Sequence, residues 1–183
     1  MEKIFENRNE MIMTFNKNLI IAELGVFEGD FSKVINEICK PKELYLVDLF
    51  DGYFGSGDKD GKNYHYVQLE DEMNKLTNFF KEFENVKIVK NSTTDFLNTL
   101  EDDYLDVVYI DADHSYSSVL SDLRLSYKKV KDGGLICGHD YVLNTEAEMA
   151  VNNFCSEMNL KIEFLTKDGC PSFCIKKPIK VVI

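Results

Sequence analysis

The stretch "VVYIDADHSYSSVL", residues 107–120, changes character in its middle. It begins with four apolar residues, all β-branched or aromatic, which are typical of a buried strand. Two aspartates and a histidine then follow within four positions, as Asp111, Asp113 and His114. In open α/β sheets, ligands bind beyond the carboxyl ends of the strands. The stretch therefore predicts acidic side chains at the edge of a sheet, where a binding site belongs.

Apolar runs of this kind recur along the chain and alternate with segments of helical periodicity, which is typical of a parallel sheet covered by helices on both faces. Only "KDGCP" separates the last two runs, and a turn this short requires an antiparallel hairpin. We therefore predict one α/β domain over residues 1–183, with a Rossmann-like, doubly wound, seven-stranded and mostly parallel sheet and a C-terminal antiparallel hairpin. The predicted strands are 19–25, 44–50, 86–92, 106–112, 134–140, 161–166 and 172–177. The predicted helices lie near 30–39, 64–83, 94–100, 116–130 and 145–158.

The composition argues against several classes of partner. The net charge of -11 opposes binding to a phosphate backbone, so we expect no nucleic acid partner. No apolar run approaches the ~20 residues that a membrane-spanning helix needs. The acidic start "MEKIFENRNE" lacks the pattern of a secretory signal, and the five cysteines are expected to be free thiols. These features predict a cytoplasmic protein without a membrane partner.

Polar residues or glycines also stand at the ends of the other predicted parallel strands. Because the carboxyl ends of parallel strands meet at one edge of a sheet, we expect these residues to line a single site. They are Glu23 and Gly25, Asp48, Asn91 and Ser92, and His139 and Asp140.

The first predicted strand ends in the turn "AELGVFEGDFS". Gly25 permits a tight turn, and Gly29 opens the following helix. A phosphate-binding G-x-G-x-x-G fingerprint would have glycine where Phe27 stands, so pyrophosphate would fit badly. Asp48 follows at about the ~20-residue spacing at which an acid binds ribose hydroxyls. The turn thus predicts a ligand with a ribose and no phosphate, unless the two glycines and a solvated aspartate occur together by chance.

The segments "AELGVFEG", "LYLVDLFDG", "YIDADHSY" and "GGLICGHDY", in this order and spacing, resemble the class I S-adenosylmethionine-dependent methyltransferases. They are most similar to the small O-methyltransferases with a divalent metal and to methyltransferases of sugar and natural-product pathways. The resemblance covers about residues 19–176 and implies S-adenosylmethionine as the cofactor. The cofactor site that it implies comprises Glu23, Gly25, Gly29, Asp48, Asn91, Ser92 and Asp111. Many relatives have an aspartate near Asn91, where this chain has none.

The same resemblance implies a metal site of Asp111, His139 and Asp140 for magnesium, manganese or another transition metal. Two close carboxylates such as Asp111 and Asp140 repel each other unless a cation or proton lies between them. The general base implied is Asp113 or His114, and a histidine with its usual pKa of about 6.5 suits this task near neutrality. Structural alternatives stay open, since Asp113 could cap a helix that starts near Ser115 and His114 could be a surface residue.

The sequence therefore predicts an S-adenosylmethionine-dependent methyltransferase that modifies a hydroxyl of a small-molecule acceptor, namely a sugar, a polyol or a phenol. Two alternatives remain: a nicotinamide-dependent oxidoreductase, and a binding module that holds S-adenosylmethionine without catalysis. Residues 1–18 form a short N-terminal extension, too short to provide the helical cover that many relatives have. The candidate lid at 51–63, the segment after "GHDY", or the second subunit of a homodimer must then complete the acceptor pocket.

Overall fold

The structure is a computed structural model that describes residues 3–51, 53–56, 64–67 and 70–180. Six helices and ten strands lie in these ranges. The helices are α1 (Arg8–Ile12), α2 (Asp30–Cys39), α3 (Glu70–Phe80), α4 (Thr93–Thr99), α5 (Tyr116–Lys129) and α6 (Glu146–Met158). The strands are β1 (Lys3–Phe5), β2 (Ile20–Leu24), β3 (Glu43–Asp48), β4 (Tyr53–Ser56), β5 (Tyr64–Val67), β6 (Val86–Lys90), β7 (Leu105–Ile110), β8 (Val130–Gly138), β9 (Ile162–Thr166) and β10 (Phe173–Lys176).

Eight strands form one sheet in the order β6-β3-β2-β7-β8-β10-β9-β1. Neighbouring strands are parallel except at β10, which is antiparallel to both β8 and β9. The predicted α/β fold with its C-terminal hairpin is confirmed, because β9 and β10 are the pair that the short "KDGCP" turn requires. The eighth strand, β1, pairs in parallel with β9 and is absent from the prediction. Its three residues are too few to show a recognisable apolar pattern.

The helix predicted over residues 64–83 is wrong in its first part. Helix α3 begins at Glu70, whereas β5 pairs with β4 as a separate two-stranded sheet. The sequence of β5, "YHYV", contains two tyrosines and a valine, which favour strands. The candidate lid at 51–63 includes β4, but its residues 52 and 57–63 lie outside the described residues. Its closure over an acceptor therefore stays a prediction.

Apolar side chains are buried on both faces of the large sheet. In β7, Val107 belongs to one buried cluster and Val108 to the other, as the two-residue period of a strand requires. Helices α1, α2 and α3 pack on the face of Val107, and α4, α5 and α6 pack on the face of Val108. Because helices cover both faces, the central strands are apolar along most of their length instead of alternating. This explains the continuous run that opens the 107–120 stretch.

The N-terminal segment packs onto the same domain. Met11 and Ile12 of α1 are almost fully buried, with exposures of 0% and 1%. Strand β1 runs in the main direction of the sheet, so its carboxyl end lies at the same edge as those of β2 and β7. Arg8 comes shortly after β1 and is thereby brought to the edge where the predicted site residues stand.

Two expectations from composition bear on the described residues. No described helix combines the length and the apolar character needed to cross a membrane. All five cysteines are free thiols, as predicted.

Candidate active site

A cavity of about 840 Å³ lies beyond the carboxyl ends of β2, β3, β6 and β7. The loops that follow these strands form its wall, together with residues at the starts of α2, α4 and α5. All residues predicted for the cofactor site and both candidate bases lie in this wall. They are Glu23, Gly25, Gly29, Asp48, Asn91, Ser92, Asp111, Asp113 and His114. The sheet topology thus brings together side chains that are up to 91 positions apart in the chain.

The turn after β2 depends on its two glycines. Gly25 has a φ of +89°, and a Cβ atom there would lie 2.1 Å from the carbonyl oxygen of Asp111. Only glycine can therefore bring this turn so close to the end of β7. Gly29 has a φ of +74° and is the N-cap of α2, as the sequence predicts for a residue that opens the helix. Phe27, where the phosphate fingerprint would have glycine, has a φ of +54° and lies in the cavity wall.

Asp48 connects the loops on two sides of the cavity. Its Oδ2 accepts hydrogen bonds from the backbone N–H groups of Val26, at 2.7 Å, and Phe27, at 3.0 Å. Its Oδ1 accepts a third from the N–H of Phe50, at 2.8 Å. A carboxylate has about four acceptor positions, so roughly one remains for a donor on a ligand. Asp48 therefore holds the two loops together, in addition to its predicted role in binding a ribose.

Glu23 lies at the bottom of the cavity and is only 1% exposed. Its Oε2 accepts a hydrogen bond from the hydroxyl of Ser32, at 2.5 Å. Burial raises the pKa of Glu23 to about 8, although the hydrogen bond from Ser32 opposes the shift. The raised pKa favours the protonated form of Glu23, in which the carboxyl group can donate a hydrogen bond as well as accept one.

Asn91 and Ser92 lie in the cavity wall between β6 and α4. The Oδ1 atom of Asn91 accepts a hydrogen bond from the N–H of Ser92, at 2.9 Å. Ser92 is the N-cap of α4, and its Oγ accepts from the N–H of Asp95, at 3.0 Å. Both side-chain oxygens already accept hydrogen bonds from the backbone, which limits what they can accept from a ligand.

Asp111, His139 and Asp140 form one cluster at the ends of β7 and β8. One ligand atom from each residue lies within 4.8 Å of the other two. His139 Nδ1 is 3.2 Å from Asp140 Oδ2 and 3.6 Å from Asp111 Oδ1. Burial alone would lower the pKa of His139, but Asp111 and Asp140 raise it to about 9. Burial alone would raise the pKa of Asp111, but His114 and His139 hold it well below its usual range.

Arg8 is part of the site, and the sequence analysis misses it. Its Nη1 donates to Asp111 Oδ2 at 3.1 Å, and its guanidinium lies 4.0 Å from the centre of the Phe31 ring. Arg8 and the two histidines offset the charges of Asp111 and Asp140, so repulsion between these carboxylates is a weaker argument for a metal than the sequence suggests. The only sequence signal for Arg8 is a basic residue in an acidic N-terminal segment, and this does not locate it at the cavity.

The two candidate bases have different surroundings. Asp113 accepts hydrogen bonds from the N–H and hydroxyl of Ser115, at 2.9 and 3.1 Å, and from the hydroxyl of Ser118, at 2.9 Å. These contacts hold it at the start of α5 and favour a structural role, although the N-cap of the helix is Ser115. The Nε2 atom of His114 is 3.1 Å from Asp140 Oδ2 and 3.9 Å from Asp111 Oδ1. Its side chain is about half exposed, and its interaction with Asp111 raises its pKa.

The fold and the cavity can be compared with known proteins. A family model described as "Methyltransferase domain" matches residues 22–141, which include the end of β2, the acids after β7 and the start of the loop after β8. The chain belongs to this family. The methyltransferase resemblance of the four sequence segments is thereby confirmed, and the match includes every predicted site residue.

Three relatives illustrate how far the similarity extends. Uncharacterized protein R132 of Acanthamoeba polyphaga mimivirus is 30% identical over 135 residues; these are 70% of this chain and 54% of the viral protein, so the chain spans about half of that relative. The O-methyltransferase NovP has the same fold, with a TM-score of 0.70 and 20% identity over 93% of this chain and 79% of NovP. SMU.1697c of Streptococcus mutans, solved in complex with SAH, has a TM-score of 0.62 and 12% identity over 92% of this chain and 94% of its own.

Proposed function

We propose that the protein transfers a methyl group from S-adenosylmethionine to a hydroxyl group of a small molecule, namely a sugar, a polyol or a phenol. The observation that carries this proposal is the position of Asp111, which belongs both to the cavity wall and to the cluster with His139 and Asp140. A methyl donor bound in the cavity and an acceptor bound at the cluster would therefore both lie next to Asp111. Such proximity is the main requirement for a displacement reaction.

Three features support S-adenosylmethionine as the methyl donor. The chain belongs to a methyltransferase family, and SMU.1697c, which shares its fold, was solved with SAH. Asp48 retains acceptor capacity for a ribose hydroxyl. Phe27 replaces the glycine that a pyrophosphate would need, which disfavours a nicotinamide dinucleotide. The turn from Gly25 to Gly29 and the buried Glu23 would then bind the methionine portion of S-adenosylmethionine.

The transfer is an in-line displacement. A bond forms between the acceptor oxygen and the methyl carbon while the bond from that carbon to the sulfonium sulfur breaks. The sulfur leaves as the neutral thioether of S-adenosylhomocysteine, and the acceptor hydroxyl loses its proton. We assign this proton to His114 Nδ1, because the Nε2–H of a neutral His114 can donate to Asp140 at 3.1 Å. Asp140 then orients the ring and stabilises the imidazolium that forms.

A divalent metal ion fits the cluster at the cavity edge. The donor set is one imidazole and two carboxylates, and the spacing of its atoms suits a single ion. Asp111 Oδ1 faces His139, while the salt bridge to Arg8 uses Oδ2, so Asp111 can serve both partners. When bound, such an ion would lower the pKa of a hydroxyl that contacts it. The imidazole favours manganese, iron, cobalt, nickel or zinc over magnesium.

A non-catalytic binding module is the second candidate, since its cavity would be the same. The imidazole of His114, which lies in the cavity wall and contacts Asp140, favours the enzyme. The net charge of -11 favours a small acceptor over nucleic acid. A cytoplasmic location and a homodimer that completes the acceptor pocket remain predictions from the sequence alone.

The test is turnover on a panel of phenols, polyols and sugars. The purified protein is incubated with S-adenosylmethionine and manganese, magnesium or a chelator, and S-adenosylhomocysteine release is measured by mass spectrometry. We expect release to depend on an acceptor with a free hydroxyl and on His114, so that His114→Ala serves as the control. Binding of the cofactor without release on any acceptor would favour the non-catalytic module instead.

A further inference from the structure

Cys170 is a thiol that the proposed reaction does not use. It is the exposed one among the five free cysteines, and it lies in the "KDGCP" turn between β9 and β10. Strand β10 is antiparallel to β8, with Phe173 opposite Gly138. The turn that precedes β10 and the loop that follows β8 therefore lie side by side at the edge of the sheet. His139 and Asp140 begin that loop, so the hairpin brings Cys170 to the cluster that could hold a metal ion.

Contacts on both sides hold this turn in place. The N–H of Tyr141 donates to the carbonyl oxygen of Pro171 at 2.9 Å, which ties the loop after β8 to the turn. The hydroxyls of Ser172 and Tyr109 are 2.8 Å apart, and both residues are almost fully buried. The backbone position of Cys170 is therefore set by its neighbours, although its own side chain is exposed.

The thiol of Cys170 lies next to the acids of the cluster. It interacts with the carboxylate of Asp140 and is close to the charges of Asp168 and Asp111. Ligand atoms of Asp111, His139 and Asp140 lie within 4.8 Å of one another, and the thiol adjoins this group on the side of Asp140. Because the Cys170 side chain is exposed, packing does not prevent it from changing rotamer to reach an ion held by the other three.

We propose that Cys170 Sγ joins this three-residue cluster as a fourth ligand, which makes the cluster a site for zinc or cobalt. The inference rests on the metal site of the proposed function. Thiolate and imidazole are ligands that zinc prefers, and four ligands complete its tetrahedral geometry. The thiol binds as a thiolate, so its proton passes to the solvent as the bond between sulfur and the ion forms.

The fourth ligand would separate two groups of ions. Magnesium and manganese prefer oxygen ligands in an octahedral arrangement, so they gain little from the thiol and keep open positions for an acceptor. A zinc ion with four protein ligands has no open position. Loss of Cys170 should therefore weaken the binding of zinc and cobalt and leave the binding of magnesium and manganese nearly unchanged.

The experiment titrates metal-stripped protein with cobalt and records its absorption spectrum. The wild-type protein should develop a sulfur-to-cobalt charge-transfer band in the near ultraviolet that saturates at one ion per chain. Cys170→Ala should lack the band and bind zinc at least about tenfold more weakly in calorimetry, because it loses a ligand. Cys155→Ala is the matched control, since Cys155 lies on α6 outside the cluster, and it should behave like the wild-type protein in both measurements.

His139→Ala shows whether the thiol binds cobalt as part of the cluster. This variant should also lose the band, and a band that it retains would overturn the inference, because Cys170 would then bind the ion alone. The absence of the band in the wild-type protein overturns it as well. So does an equal loss of zinc and magnesium affinity in Cys170→Ala, which would indicate a purely structural role.

The same preparation is titrated with S-adenosylhomocysteine. If the protein binds this ligand but no ion, the inference fails and the cofactor site of the proposed function stands. If the protein binds neither the ligand nor an ion, the proposed function fails together with the inference.

Discussion

At the scale of single residues, Asp48 should matter for both binding and stability. Replacing it by alanine removes the acceptor of three backbone N–H groups and the expected acceptor for the ribose. Hydrogen bonds to charged groups are each worth ~1.5 to 3 kcal/mol. Asp48→Ala should weaken S-adenosylmethionine binding tenfold or more in calorimetry. It should also lower the melting temperature, because three backbone N–H groups lose their acceptor.

Asp48→Asn is the milder companion variant. It retains one acceptor oxygen, so it should lose less stability than Asp48→Ala while still binding the cofactor more weakly than the wild-type protein. An affinity for S-adenosylmethionine that is unchanged in both variants would remove Asp48 from the cofactor site.

The roles of His114 and Asp113 can be separated by kinetics and stability. Losing a general base typically costs ~10²- to 10⁴-fold in rate. We therefore expect His114→Ala to lower kcat by at least about a hundredfold, with little change in cofactor affinity. Asp113→Ala should instead lower the free energy of unfolding by ~0.5 to 2 kcal/mol, because it removes the acceptor of the hydrogen bonds from Ser115 and Ser118 at the start of α5, and leave kcat nearly intact. The reverse pattern would make Asp113 the base and His114 a surface residue.

At the scale of elements, the turn from β2 into α2 depends on Gly25. A methyl group there would collide with the backbone of Asp111, and the residue would keep a φ unfavourable for alanine. Gly25→Ala should therefore destabilise the protein by more than ~1 kcal/mol and abolish detectable cofactor binding, measured by thermal unfolding and calorimetry.

Gly169→Ala is the matched control for this change. Nothing lies within 4 Å of a Cβ atom at Gly169, and this residue is not part of the cavity wall. This variant should behave like the wild-type protein. Normal binding by Gly25→Ala would show that the turn can move without disturbing the site.

The cluster of Asp111, His139 and Asp140 is formed where β7 and β8 end side by side. Metal-stripped protein should bind manganese or cobalt more tightly than magnesium in calorimetry, because His139 supplies an imidazole. His139→Asp should reverse part of this preference, since it replaces nitrogen by oxygen. If the protein binds none of these ions, or if His139→Asp leaves the order of affinities unchanged, His139 is no metal ligand.

The sequence predicts the elements that have a strong local pattern. The continuous apolar run in β7 marks a strand covered on both faces, and the acids after it lie in the cavity wall as expected. The predicted start of α3 is wrong, because the strand-forming residues of β5 precede the helix and no glycine or proline separates the two elements. Arg8 beside Asp111 shows the other limit, since a salt bridge across the sheet depends on strand order and not on sequence spacing.

At the scale of the whole molecule, the site is produced by the topology of the sheet. The parallel strands β2, β3, β6 and β7 all end at one edge, and β1 brings Arg8 to the same edge from the opposite end of the strand order. Asp122 reaches the cavity from α5, where it follows Val119 by three positions on the buried face of the helix.

The most direct test of this account is which nucleotide the cavity binds. The wild-type protein is titrated with S-adenosylhomocysteine and, separately, with nicotinamide adenine dinucleotide, and thermal unfolding is followed at saturating ligand. We predict that S-adenosylhomocysteine binds with one site per chain and adds ~2.7 kcal/mol of stability at 100 times its dissociation constant, whereas the dinucleotide has no effect. Stabilisation by the dinucleotide and none by S-adenosylhomocysteine would contradict the account and make the protein an oxidoreductase candidate.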